Sequence, residues 1–336
     1  MSKKQVICLG LAIVLLSIVL PGCSNGKKSL YTKKDKYVVG FSQIGTESEW
    51  RIANTNEMIE AYEQNPRFTL LYSDAEQKRE NQITAIRGFI KQKVDAIILV
   101  PIVATGWDAI LTEVKEAKIP VILINRGARM VSGNIEDFTV CLVAPDNVYA
   151  GELLARTFID SFGDKPGPIS VVEITGTIGS SSTVDRGRGI HNVIDSDNRV
   201  SIRYSQTGDF NRATARHVSD SIIRTARAEG VVLEGLIAQS DDMALGAMQS
   251  FIDAGIQPGR DIKIVGIDGI RDAFVAMSEG LYYASVENPL GYGEATIKIL
   301  LDLLDNSKKP DDYWVVLKNE VYLQKDAASA LPNRKY

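Results

Sequence analysis

The stretch from Glu80 to Leu111, ENQITAIRGFIKQKVDAIILVPIVATGWDAIL, decides the fold class of this 336-residue chain. Its first part spaces Ile83, Ile86 and Ile90 three and four residues apart, which predicts an amphipathic helix. The run DAIILVP that follows is short and continuously apolar, as in a strand that is buried on both faces. A helix followed directly by such a strand predicts a parallel sheet covered by helices.

The same alternation extends along the chain from Tyr37. Segments of ten to sixteen residues with helical spacing separate most of ten short apolar runs, which are YVVGFSQ, FTLLYSD, DAIILVP, PVILIN, FTVCLVA, PISVVEI, SIRYSQT, LEGLIAQS, IKIVGID and YYASVEN. This alternation predicts βαβ units with parallel sheets. Ten strands are too many for one ordinary doubly wound sheet, so we expect an α/β protein of two Rossmann-like lobes.

The composition is that of a folded globular protein, with 45% hydrophobic and 24% charged residues. The chain carries 38 basic and 42 acidic side chains, which gives a net charge of −4. A mildly acidic surface offers no electrostatic attraction to nucleic acid. We therefore expect no nucleic-acid partner.

The N-terminal stretch MSKKQVICLGLAIVLLSIVLPGCSN resembles a bacterial lipoprotein signal peptide. Two lysines precede an apolar run from Val6 to Leu20, which at about 15 residues is shorter than the roughly 20 that span a bilayer. The small residues of LPGC lead to Cys23, before which such a peptide is cut and on which it is lipidated. We expect a signal peptide over 1–22 and a lipidated tether over 23–36. An uncleaved signal anchor is the alternative, and both place the folded part outside the cytoplasm, tied to a membrane.

Cysteine and histidine usage argues against disulfides, metal sites and hydrolytic chemistry. Beyond the leader and Cys23, the sequence has only Cys141, inside the apolar run FTVCLVA. No CxxC pair offers a zinc site, and the two histidines belong to no GxSxG or HExxH pattern. We therefore predict no catalytic residue, no metal and no cofactor.

Polar and aromatic residues follow the predicted strands, as in GTESEWR at Gly45 to Arg51. Ligands of such sheets bind beyond the carboxyl ends of the strands. A sugar needs flat apolar walls together with arginines and carboxyl groups that bind its hydroxyls. We expect the walls from Trp50 and Phe210. The predicted hydrogen-bonding residues are Arg51, Arg126, Arg186, Glu47 and Asp268.

Each of these residues has a structural alternative. Trp50 and Phe210 could be ordinary core rings, and Arg126 and Arg186 could form surface ion pairs. Asp268 precedes a glycine, as in many turns. The residues form one site only if the two lobes face each other with the carboxyl ends of their strands.

Successive blocks of the sequence resemble the sugar-binding proteins of ABC transporters, of the ribose and galactose type. The blocks are VGFSQIGTESEWR, ENQITAIRGFI, VDAIILVPIVATGWDAIL, GTIGSSSTVDRGRG, GDFNRATAR, AQSDDMALGAMQ, PGRDIKIVGIDG and YYASVEN. Among them, ESEWR and ATGW are similar to the galactofuranose-binding members of that family. The resemblance implies a type I periplasmic-binding-protein fold without catalysis. Three hinge strands would join a lobe of 37–142 and 289–314 to a lobe of 143–288 and 315–336.

The resemblance also implies ligand-binding residues. At the family's positions for ring stacking and hydroxyl binding, this chain has Glu47, Ser48, Trp50, Arg51, Arg126, Arg186, Phe210 and Asp268. Two positions depart from the usual pattern and point to a different sugar, since Asn125 replaces an aspartate and Ser240 replaces an asparagine. Glu287 and Asn288 compete for one position beside the hinge, and we expect Glu287 to occupy it.

The resemblance and the leader together predict a monomeric, extracytoplasmic lipoprotein that captures a monosaccharide related to galactofuranose. Such a protein delivers its ligand to an ABC permease and its ATPase. The alternative is a sugar sensor that presents the ligand to a chemoreceptor or a sensor kinase. Which sugar binds, and in which ring form, does not follow from the sequence.

Overall fold

The computed structural model describes residues 31–336. The signal peptide predicted over 1–22 and the lipidation site predicted at Cys23 lie outside these residues, as does most of the tether. Between residues 31 and 336, no helix combines the length and the apolar character needed to cross a membrane.

Six strands form the first sheet, and all of its neighbouring strands run parallel. The strands are β1 (Tyr37–Gln43), β2 (Phe68–Asp74), β3 (Ala96–Leu99), β4 (Val121–Ile124), β5 (Cys141–Pro145) and β11 (Trp314–Leu317). Their order across the sheet is β11-β5-β4-β3-β1-β2. The helices of this lobe are α1 (Glu49–Glu63), α2 (Arg79–Gln92), α3 (Asp108–Glu116) and α9 (Tyr292–Asn306).

Six further strands form the second sheet. The strands are β6 (Ile169–Thr175), β7 (Val200–Thr207), β8 (Gly235–Ala238), β9 (Lys263–Asp268), β10 (Ala284–Glu287) and β12 (Val321–Leu323). Their order is β12-β10-β9-β8-β6-β7. The helices of this lobe are α4 (Asn147–Asp160), α5 (Ser181–Ile194), α6 (Arg212–Glu229), α7 (Asp241–Asp253), α8 (Arg271–Ser278) and α10 (Ala327–Ala330).

Burial and capping explain why these segments fold as they do. Strand β3 is buried along its whole length, in keeping with its unbroken apolar sequence. Helix α2 packs the ring of Phe89 against Gly40 of β1, where a Cβ would lie only 2.5 Å from the ring. Helices α1 and α7 begin after Ser48 and Ser240, whose hydroxyls each accept a hydrogen bond from the backbone N–H three residues later.

Along the described part of the chain, the backbone passes between the two lobes three times, after Pro145, after Glu287 and after Leu317. The predicted fold class, two Rossmann-like α/β lobes joined by three connections, is thereby confirmed. The predicted lobe boundaries at 142/143 and 314/315 fall inside β5 and β11. Because both strands pair along their length within the first sheet, the crossings lie three residues further along the chain.

Strands β11 and β12 were not among the ten strands predicted from the sequence. They are only four and three residues long and are partly exposed, so neither has the continuous apolar run of a central strand. Strand β12 pairs antiparallel with β10, whereas the other strand pairs among the described residues are parallel. The second sheet is therefore mixed at one edge.

Candidate functional site

The carboxyl ends of the two sheets face each other, and a small cavity lies between them, with about 20 Å³ of space for a water-sized sphere. Its walls come from segments that follow β1 and β4 in the first lobe and β6, β7, β9 and β10 in the second. The lining residues are Glu47, Ser48, Trp50, Arg51, Asn125, Arg126, Ser182, Arg186, Phe210, Asp268 and Asn288. The structure thus brings nine of the eleven predicted ligand-binding residues together around one cavity.

Two predicted residues, Ser240 and Glu287, do not line the cavity. The hydroxyl of Ser240 caps helix α7 instead. The carboxylate of Glu287 pairs with Arg334 on the other side of the strand end. Because successive side chains of a strand point to opposite faces, Asn288 takes the place that we predicted for Glu287.

Ser182 lines the cavity but was not predicted from the sequence. It lies in the first turn of α5, where three consecutive serines look alike in sequence. Its side chain is buried. Only the geometry of the α5 N-terminus distinguishes it from its neighbours.

The first-lobe half of the cavity holds two arginines that share one carboxylate. Arg51 Nε donates to Glu47 Oε1 at 3.0 Å, and Arg126 Nη2 lies 3.8 Å from the same oxygen. Arg51 Nη2 donates to Asn125 Oδ1 at 2.9 Å, and Asn125 Nδ2 donates to the Tyr292 hydroxyl at 3.2 Å. Burial raises the pKa of Glu47, but the positive charges of the two arginines outweigh burial and leave this pKa below its ordinary value.

Trp50 forms part of the wall next to the hinge. Its indole Nε1 donates to the backbone carbonyl of Asn288 at 2.6 Å, which ties α1 to the connection after β10. The ring meets Tyr292 edge to face, with centroids 6.1 Å apart, and the Arg51 guanidinium lies 4.9 Å from its centre. The Trp50 ring is therefore held in place by its hydrogen bond and by its packing against Tyr292 and Arg51.

The second-lobe half of the cavity holds one arginine and one carboxylate. Arg186 Nε donates to Asn147 Oδ1 at 3.0 Å, and Nη1 donates to the Gln239 carbonyl at 2.5 Å. Its Nη2 lies 3.6 Å from Asp268 Oδ1. Burial raises the pKa of Asp268 to about 7, and the nearby Asp241 adds to this effect while Arg186 opposes it.

Phe210 lies between the arginines of the two halves. The guanidinium carbons of Arg126 and Arg186 lie 5.0 and 5.8 Å from the centre of its ring. Gly176 makes room for the ring, because a Cβ at this position would lie 2.0 Å from it. Phe210 adopts a left-handed backbone conformation with φ at 55°. The space beside Gly176 and the backbone conformation of Phe210 therefore hold the ring at the cavity wall.

Three buried polar atoms of the lining residues have no hydrogen-bond partner among residues 31–336: Glu47 Oε2, Arg126 Nε and Asn288 Oδ1. Most buried polar atoms in proteins are paired, since an unpaired one loses its hydration without compensation. Two of these atoms are acceptors and one is a donor. A ligand with several hydroxyl groups, each able to donate and accept, can satisfy all three.

Hydrogen bonds between the lobes surround the cavity. The backbone N–H of Glu49 donates to Asp242 Oδ2 at 2.8 Å. The N–H of Gly127 donates to Ser181 Oγ at 2.8 Å. A backbone bond of 2.8 Å also joins Ala104 N–H to the Gly179 carbonyl. These contacts hold the lobes together over a cleft whose lining is almost entirely buried.

A family description and several known proteins match most of the chain. The family described as a periplasmic binding protein domain matches residues 39–309. The galactofuranose-binding protein YtfQ of Escherichia coli (strain K12) is 38% identical over 301 residues, which are 88% of this chain and 91% of that protein.

Two solved structures share both the fold and the sequence pattern. A Mycobacterium smegmatis protein in complex with β-D-fucofuranose has 35% identity and a TM-score of 0.83, over 89% of this chain and 95% of that one. The periplasmic binding component of the arabinose ABC transporter from Shewanella sp. ANA-3, bound to α- and β-L-arabinofuranose, has 34% identity and a TM-score of 0.82, over 89% and 95% of the two chains.

Proposed function

The chain belongs to the periplasmic binding protein family, and on this premise we propose that it captures a monosaccharide in furanose form and hands it to an ABC importer. Its relatives are binding proteins, which confirms the predicted family and the prediction that the chain is not an enzyme. The family description also places the folded part outside the cytoplasm.

The observation that carries the proposal is the chemistry of the cavity. Trp50 and Phe210 supply flat apolar surface, while Glu47, Arg126 and Asn288 each keep a buried polar atom that has no partner within residues 31–336. Sugars offer C–H faces to rings and hydroxyls to such atoms. Because the lining comes from both lobes, a bound sugar bridges them and favours their closed arrangement.

The ring form is proposed from the relatives. Those compared above are named for, or solved with, galactofuranose, fucofuranose and arabinofuranose. Nine of the residues proposed to bind the ligand line the cavity between the lobes. A five-membered ring with an exocyclic chain is the shared chemistry of these ligands.

The proposed output is import, and the proposed anchor is a lipid on Cys23. The Shewanella relative is described as a component of an ABC transporter, which supports delivery to a permease and its ATPase rather than presentation to a sensor kinase. Lipidation at Cys23 rests on the LPGC sequence alone. A Cys23→Ser variant that still fractionates with membranes after its leader has been removed would contradict the anchor.

The experiment that tests sugar capture is calorimetric titration of the processed protein with a panel of monosaccharides. We expect at least one to bind, and ¹³C NMR of that sugar labelled at its anomeric carbon reports the bound ring form. The variant Arg126→Ala should lose binding, whereas Arg87→Ala should keep it, since Arg87 pairs with Glu113 on the exposed surface. Binding of no monosaccharide, or unchanged binding by Arg126→Ala, would overturn the proposal.

A further inference from the structure

The charged side chains that line the cavity do not balance. Three guanidiniums, those of Arg51, Arg126 and Arg186, face two carboxylates, those of Glu47 and Asp268. The lining therefore carries an excess of one positive charge. All five side chains are buried, so water does not screen this excess as it would at a surface.

The excess belongs to the first-lobe half of the cavity. Arg186 has Asp268 as its own partner at 3.6 Å. Arg51 and Arg126 instead share the single carboxylate of Glu47, and it lies 3.0 Å from the first but 3.8 Å from the second. Arg126 is thus the guanidinium without a close carboxylate, and its Nε also lacks a hydrogen-bond partner within the described chain.

Neighbouring acids do not compensate Arg126. Asp241 is enclosed in the second lobe, where it accepts hydrogen bonds from Tyr282, Ser285 and two backbone N–H groups. Asp242 pairs with Arg212 outside the cavity. Burial and the neighbouring Arg51 lower the pKa of Arg126 to about 9, and Asp209, which is not among the lining residues, opposes this only weakly.

Asn125 occupies the place where a balancing charge would fit. Its Oδ1 accepts from Arg51 at 2.9 Å, and its Nδ2 donates to Tyr292. The amide therefore provides the hydrogen bonds that position Arg51, but it adds no negative charge. An aspartate at this position would leave the lining neutral, with three carboxylates against three guanidiniums.

We propose that the preferred ligand supplies the missing negative charge, and that it is a monosaccharide with one carboxylate, of the hexuronate type. This inference rests on the proposed capture of a sugar by the same cavity. A guanidinium binds a carboxylate through two parallel hydrogen bonds, and Arg126 has an unpaired Nε–H for this geometry. A carboxylate is close in size to the hydroxymethyl group of a neutral hexose, so either group can occupy the same position beside Arg126.

Charge and size favour a monoanion. A sugar phosphate would bring a charge of about −1.5 to −2 and a bulkier head group, which exceeds an excess of one. A single carboxylate matches the excess in both charge and size.

The test compares matched pairs of ligands at pH 7.5 by calorimetric titration: galactose with galacturonate, glucose with glucuronate, and arabinose as a neutral pentose. We expect one acid to bind at least about tenfold more tightly than its neutral partner, in line with one charge-assisted contact. Asn125→Asp should reduce or reverse this preference, because it neutralises the excess. Arg126→Gln should also remove the preference, because it takes away one positive charge instead of adding a negative one.

The outcomes separate this inference from the proposed function. If neutral sugars bind as tightly as the acids, or more tightly, the inference is wrong and sugar capture stands. If the acids bind more tightly but Asn125→Asp, shown to be folded by its thermal transition, keeps the full preference, the charge excess is not its cause and the inference is wrong. If neither the acids nor the neutral sugars bind, both proposals are overturned.

Discussion

Asp241 and Asp268 are two wholly buried carboxylates of the second lobe with opposite surroundings. Asp241 accepts four hydrogen bonds, from the Tyr282 hydroxyl, the Ser285 hydroxyl and the N–H groups of Gly269 and Ile270, at 2.7 to 3.1 Å. Asp268 accepts one at 3.2 Å from Asn288 and lies 3.6 Å from a guanidinium. Burial alone does not distinguish scaffold from site, whereas the number of protein partners does.

The first lobe repeats the contrast with two tryptophans. Trp107 is wholly buried, and its Nε1 donates to the Val103 carbonyl within the same loop. Trp50 is almost as buried, but it lines the cavity and donates across to the connection after β10. The first ring fills a core, and the second forms a wall that both lobes share.

The largest expected effect is on stability, from truncation of Asp241. Asp241→Ala leaves four donors without their acceptor inside the second lobe, and removing one partner from a buried charged network costs about 3 to 5 kcal/mol. Urea denaturation should show this loss. Asp268→Asn should not lower the stability in this way. Equal destabilisation by the two variants would show that the two carboxylates do not differ in their structural role.

The pH dependence of stability sharpens the same contrast. The folded pKa of Asp268 is about 7, above its unfolded value, so the folded state binds the proton more tightly. The stability of the wild type should therefore fall as the pH rises from about 4 to about 7, where Asp268 becomes ionised at a buried site. The free energy of unfolding of Asp268→Asn should not show this fall between pH 4 and 7. The variant should therefore be more stable than the wild type at pH 8, although it should bind sugar less well.

The next expected effect is on binding, from Trp50 and Arg51. Trp50→Ala and Arg51→Ala should each weaken sugar binding by about 2 to 4 kcal/mol, roughly thirtyfold to nearly a thousandfold, since each removes a buried side chain that we propose contacts the ligand. Trp107→Ala should instead lower the free energy of unfolding by about 3 to 5 kcal/mol and leave affinity intact. Melting curves and sugar titrations of the three variants distinguish a role in binding from a role in stability. A large loss of stability by Trp50→Ala with unchanged affinity would make Trp50 a core ring.

The smallest expected effect concerns the contact between the lobes at Asp242. This carboxylate accepts the N–H of Glu49 at the first turn of α1, where a negative charge is worth about 0.3 to 1 kcal/mol. Asp242→Asn should therefore weaken binding only a few-fold, mainly through faster release of the sugar. Asp272→Asn is the matched control, because Asp272 also pairs with Arg212 but makes no hydrogen bond to the first lobe. If both variants weaken sugar binding equally, the effect comes from the ion pairs with Arg212 and not from the hydrogen bond between the lobes.

The sequence predicted the central strands and the edge of the sheets at which the site lies. Long apolar runs, and the residues that follow them at the carboxyl ends of parallel strands, can be recognised in the amino-acid sequence alone. It did not predict β12, which is three residues long and only partly buried. It chose Glu287 over Asn288, since a shift of one residue reverses the face of a strand end and the sequence does not fix that register. The unpaired atoms of Glu47, Arg126 and Asn288 depend on distances between lobes, and no spacing in the sequence encodes them.

The three crossings of the chain have a consequence for the order of folding. The five parallel strands of the second lobe lie within one continuous segment, 169–287, and can pair as soon as that segment exists. The first lobe needs α9 and β11 from beyond that segment, as the hydrogen bond from the Tyr62 hydroxyl to Thr296 illustrates. Contacts between residues so distant along the chain form late, because a long loop must close first. The five parallel strands of the second sheet can therefore pair first, the first lobe stays incomplete until residue 317 has emerged, and β12 and α10 join the second lobe last.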